Sequence, residues 1–117
     1  MSRRLGLALA FALAASQAFA HAHLKTASPA DGATVAAPAD ITLGFTEDLE
    51  VKLSSITVKN ARGETVSVAT AEAVPGDRKA LKVRLKSISQ GAYSVEWAAT
   101  SVDTHRVTGQ YRFTVRP

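Results

Sequence analysis

Leu81-Lys82-Val83-Arg84-Leu85-Lys86 decides the fold class. Apolar and cationic residues alternate strictly, so an extended chain here has one apolar face and one wet face. The same period of two recurs on either side. Tyr93-Ser94-Val95-Glu96-Trp97 and Tyr111-Arg112-Phe113-Thr114-Val115-Arg116 follow it, and Ile41-Thr42-Leu43-Gly44-Phe45 precedes it. Weaker signals predict a strand over Leu53, Ile56 and Val58, irregular at Ser54-Ser55, and a short one over Val66 and Val68. Residues 24–28 are expected to begin a strand as well. Pro29-Ala30-Asp31-Gly32, Asn60-Ala61-Arg62-Gly63, Pro75-Gly76-Asp77 and Gln90-Gly91 read as turns between the strands. Residues 69–74 suggest a helical turn at most. Short one-sided strands without an amphipathic helix of useful length predict an all-β, antiparallel sandwich or barrel. Trp97 shares a face with Tyr93 and Val95, so it is expected in the core rather than stacking on a substrate.

The N-terminus has a different character. Arg3 and Arg4 precede an apolar run from Leu5 to Ala15, broken only by Gly6. Ser16-Gln17 follows, and Ala18-Phe19-Ala20 places small residues where a signal peptidase cuts. The run is shorter than the ~20 residues a membrane-spanning helix needs. Residues 1–20 are therefore read as a cleaved export signal, and residues 21–117 as a single domain of 97 residues. Ala20-His21-Ala22 is a rival cleavage site that would leave His23 first. The polar pair ahead of Ala18 favours the earlier cut. Cleavage removes Arg3 and Arg4 and lowers the formal charge from +4 to +2. No Lys/Arg stripe with interleaved aromatics occurs, so nucleic-acid binding is unsupported. The chain has no cysteine, and its one methionine is Met1. Disulfides, thiolate metal sites and thioether ligands are thereby excluded from the processed domain.

The histidines are His21, His23 and His105. Cleavage after Ala20 would give His21 a free α-amine beside its imidazole. Asp103-Thr104-His105 offers a second pair of donors. In extended backbone, residues two apart share a face, ~6–7 Å apart, so a carboxylate and an imidazole converge on one ion. Asp-x-His alone is common as a turn aspartate and a solvated histidine; the histidine N-terminus changes its meaning. One amine, two imidazoles and one carboxylate suit Cu(II) in a tetragonal arrangement. Zn²⁺ accepts similar donors but prefers a tetrahedral site. The uncut chain is expected to lack the chelate, because the His21 amine is then part of a peptide bond.

Five segments carry a family resemblance: His21-Ala22-His23-Leu24-Lys25, Ser28-Pro29-Ala30-Asp31-Gly32, Leu43-Gly44-Phe45-Thr46-Glu47, Tyr93-Ser94-Val95-Glu96-Trp97, and Ser101-Val102-Asp103-Thr104-His105 with Gly109 and Phe113. Together they resemble the CopC-type periplasmic copper-binding proteins, over essentially the whole domain. The resemblance implies a small Greek-key β-sandwich of the immunoglobulin- or cupredoxin-like kind. It also implies a copper carrier or buffer, not an enzyme, acting in periplasmic copper resistance, homeostasis or uptake beside a CopD-type inner-membrane partner. The implied Cu(II) ligands are His21, through amine and imidazole, Asp103 and His105. Glu47 matches a position near that site. The Met-rich Cu(I) site of other members is missing, so a Cu(II)-only binder is implied.

His23 adds a competing possibility, since a free terminus with histidine third can bind Cu(II) in a plane through amine, two amides and imidazole. An alternative function is an oxidative enzyme with the copper brace of polysaccharide monooxygenases. Against it stand the short chain, the lack of aromatics to lie along a polysaccharide, and Asp103 in a position that oxygen chemistry needs open. An adhesive sandwich with incidental histidines is the third possibility, and it predicts no tight copper binding.

Overall fold

The computed structural model describes residues 22–117; the expected signal segment and His21 lie outside them. The alternating run at 81–86 falls largely within β6 (Asp77–Arg84), where Leu81 and Val83 are fully buried and Arg84 is exposed. The strands on either side form as expected: β1 (Leu24–Ser28), β3 (Asp40–Phe45), β4 (Ser55–Asn60), β7 (Gly91–Thr100) and β8 (Arg106–Val115). Two short strands complete the set, β2 (Thr34–Val35) and β5 (Glu72–Val74). One sheet runs β1-β3-β6-β5 and the other β2-β8-β7-β4. The chain crosses between sheets at every step except β5 to β6 and β7 to β8. Neighbours such as β3 and β6 are thus distant in sequence, which is the Greek-key arrangement of a β-sandwich.

Four details depart from the sequence reading. Leu53 belongs to a 3-10 turn (Val51–Leu53) and is exposed; β4 begins after it. Val66 and Val68 form no strand of their own. Val66 N–H donates to Val58 O in one sheet, and Val68 N–H donates to Arg84 O in the other. The segment changes sheets midway, so neither ladder lengthens, and Val66 is buried while Val68 is exposed. Residues 72–74 are an edge strand on β6 rather than part of a helical turn, because β6 offers them a free ladder. Finally, β2 runs parallel to β8. A segment this short gains its hydrogen bonds from the edge of β8 without needing a hairpin.

The core lies between the sheets. Ile41, Leu43 and Phe45 face it from β3, and Tyr93, Val95, Trp97 and Phe113 from β7 and β8. Trp97 is a core residue, 8 % exposed, with Phe45 edge-on to it at a 5.2 Å centroid separation. Gly109 pairs with Trp97 across the β7–β8 ladder. A Cβ at Gly109 would sit 2.7 Å from Trp97 Cε2, so only glycine lets the indole lie over the strand. Tyr111 ties the N-terminal turn to the core by donating to Pro29 O at 2.9 Å.

Candidate metal centre

β7 and β8 are joined by a tight turn, and that turn carries Asp103 and His105. Their ladder ends at the pair Thr100–Arg106. Beyond it, Ser101 N–H donates to His105 O at 2.9 Å, and Thr104 N–H donates to Ser101 O at 2.8 Å. Reversing the chain this quickly needs one left-handed residue, and Thr104 supplies it with φ 72°. A β-branched residue is unfavourable there, on the order of 1–3 kcal/mol. The backbone between Asp103 and His105 is thus a turn and not the extended segment their spacing suggested. The convergence survives for a different reason. The turn folds the two side chains together, with His105 Nδ1 3.4 Å from Asp103 Oδ1 and both about half exposed.

Ser101 lies beneath this pair. It is 1 % exposed, and its Oγ donates in a short hydrogen bond to Asp103 Oδ1. That bond, and after it the facing His105 imidazole, hold the Asp103 carboxyl below its ordinary value. The carboxylate is therefore an anion at neutral pH, with its second oxygen as a further acceptor. When His105 carries its proton on Nδ1, its Nε2 presents a lone pair, the form in which imidazole binds metals.

The described chain begins at the same end of the sandwich. Ala22 is fully buried in the core cluster. His23 is exposed, but its backbone is clamped: its N–H donates to Thr46 Oγ1 at 2.9 Å, and its carbonyl accepts from Thr46 N–H at 3.0 Å. These bonds extend the β1–β3 ladder one step past Leu24–Phe45. The following residues reach the turn: Val102 N–H donates to Asp48 O at 3.0 Å, and Leu49 forms a β-bridge with Ser101. Residues 46–49 therefore link the anchored N-terminal segment to the turn that holds Asp103 and His105. Glu47, half-buried, sits in this link.

Among the described residues, no group of three or more His, Cys, Asp or Glu side chains is arranged to hold a metal. Asp103 and His105 could offer two donors, and the third expected residue, His21, lies outside the described chain. Thr46 and Ser101 were not assigned roles from sequence. Ser101 had a visible signal in its place two residues ahead of Asp103. Thr46 had none, because its partner is a backbone amide more than twenty positions away.

Comparison with known proteins bears on the family and the fold. The model of the CopC domain matches residues 24–116. Copper resistance protein C of Xanthomonas campestris pv. juglandis is 41% identical over 114 residues, spanning 92% of this chain and 90% of the relative. Among solved structures, CopC from Methylosinus trichosporium OB3b superposes with a TM-score of 0.78 at 34% identity, over 83% of this chain and 95% of that one. PcoC, a methionine-rich copper resistance protein from Escherichia coli, superposes with a TM-score of 0.70 at 36% identity, over 83% of this chain and 100% of that one.

Proposed function

The chain belongs to the CopC family, and on that premise we propose that it binds copper as Cu(II) and serves as a periplasmic carrier or buffer. Residues 1–20 act as the export signal, and their removal frees the His21 amine. Cu(II) is then held by His21, through amine and imidazole, with Asp103 and His105. The observation that carries this proposal is the convergence of Asp103 and His105 on a turn linked, through residues 46–49, to the anchored Ala22-His23 segment. His21 is one peptide bond from buried Ala22, which restricts the reach of its amine to that end of the sandwich.

The oxidation state follows from the donors. Nitrogen and carboxylate ligands favour Cu(II), whereas Cu(I) favours thiolate and thioether. PcoC is named as methionine-rich, while this chain has only Met1 and no cysteine. Two features disfavour the planar chelate through His23. It would require the His23 amide to lose its proton, and that proton is committed to Thr46 Oγ1. It would also wrap backbone around the ion at Ala22, which is buried.

Binding rather than catalysis is in keeping with relatives named for copper resistance. A CopD-type inner-membrane protein is the proposed partner for transfer. The test is His105→Ala in the processed protein. The proposal requires a loss of Cu(II) affinity greater than about 100-fold, beyond what supporting partners of a ligand contribute. Unchanged affinity would remove His105 from the site.

A further inference from the structure

We propose that Ser101 is a positioning residue for copper binding: its buried hydroxyl fixes the Asp103 carboxylate in the orientation from which it binds the ion. This rests on Asp103 being a ligand. The side chain of Asp103 is half exposed and borne on a turn, so nothing in its own burial would hold it still. Ser101 is the opposite case. It is 1 % exposed, and its backbone is locked from both sides by the bonds to His105 O and from Thr104 N–H. A hydroxyl has one proton to give, and here it goes to Asp103 Oδ1. The same Oγ lies 3.3 Å from the His105 carbonyl, so the group that holds the carboxylate also packs against the backbone of the second ligand. Ligating carboxylates are commonly supported in this way, and loss of the support typically weakens metal binding 10–100-fold.

The neighbouring residue supplies a control. Thr100 is also buried and also hydrogen-bonded, but its Oγ1 donates to Leu53 O at 2.8 Å, away from Asp103. Thr100→Val is expected to lower stability and leave copper affinity in place.

The experiment is a double-mutant cycle in the processed protein, read as Cu(II) affinity against a competing chelator, with melting of the metal-free forms alongside. Ser101→Ala is expected to weaken Cu(II) binding by about tenfold or more. In an Asp103→Ala background the same change is expected to cost nothing further, because the group it positions is gone. The Cu(II) electron paramagnetic resonance spectrum of Ser101→Ala should shift toward that of Asp103→Ala. Ser101→Thr, which keeps the hydroxyl, should restore most of the affinity. If the alanine variant does not fold, Ser101→Thr and Ser101→Val give the same comparison, being equal in shape and differing in the hydroxyl. An equal loss in both backgrounds, or no loss in either, overturns the proposal. Parental affinity in Asp103→Ala alone would be a different failure, since it removes Asp103 as a ligand and the metal site with it.

Discussion

Trp97 and Ser101 are four residues apart on one stretch of chain, and their surroundings could hardly differ more. Around Trp97 everything is shape. The indole lies over Gly109, Phe45 meets it edge-on, and no Cβ fits beneath it. Around Ser101 everything is direction. The side chains above it are half exposed, the turn contains a left-handed threonine, and hydrogen bonds rather than packing hold the geometry. The first region makes the sandwich stable. The second is set at its rim, where ions can arrive, and it tolerates strain because the first secures both strands that lead into it. If this division is right, changes in one region should move stability and changes in the other should move copper binding.

The largest effect expected is copper itself. At Cu(II) about 1,000 times its dissociation constant, the processed protein should gain about 4 kcal/mol against denaturant. His105→Ala should cut that gain to about 1.4 kcal/mol or less while leaving the metal-free form within about 0.5 kcal/mol of the parent, since its side chain is half exposed. Next, Gly109→Ala should destabilise by about 1–3 kcal/mol by forcing Trp97 aside, and its folded fraction should still bind copper. An affinity loss in Gly109→Ala as large as that of His105→Ala would break the comparison.

Tyr111→Phe is smaller. Losing the bond to Pro29 O should lower stability by about 1 kcal/mol at neutral pH. Burial, and after it the nearby Asp31 charge, push the Tyr111 phenol up from 10 to about 12. A raised folded value favours the protonated form in the native state. Its contribution is therefore complete below pH 10 and lost as the pH rises toward 12. Across that window Tyr111→Phe should lose less stability than the parent, as measured by denaturant midpoints at each pH. The smallest effect expected is Thr104→Gly, a net gain of about 0.5 kcal/mol. Relief of the left-handed strain is partly offset by the greater freedom of glycine in the unfolded chain. A loss of stability there would mean that the threonine is not strained.

The two regions were unequally legible in the sequence. β3, β6, β7 and β8 were readable because each buries one face, and alternation records exactly that requirement. Val66 and Val68 misled because a segment that changes sheets keeps the composition of a strand without its ladder. β2 was invisible, since two residues paired in parallel to an edge leave no period. At the candidate site, the closeness of Asp103 and His105 was readable from type and spacing, though the backbone between them is a turn rather than extended. A hairpin this tight leaves its mark through a left-handed position, and Thr104 is not the glycine or asparagine that would have announced one. Thr46 works through hydrogen bonds whose meaning appears only once distant segments are adjacent, whereas Ser101 bonds locally, to Asp103 two residues on.

The central claim is that the copper site is completed by the amine of His21 meeting the turn at Asp103 and His105. The direct measurement is a Cu(II) titration of the protein beginning at His21, set against the same protein with one residue added ahead of it. One tightly bound Cu(II) per chain is expected for the first, and affinity weaker by at least about tenfold for the second, since the added residue ties the amine into a peptide bond. Equal affinity in the two would contradict the claim.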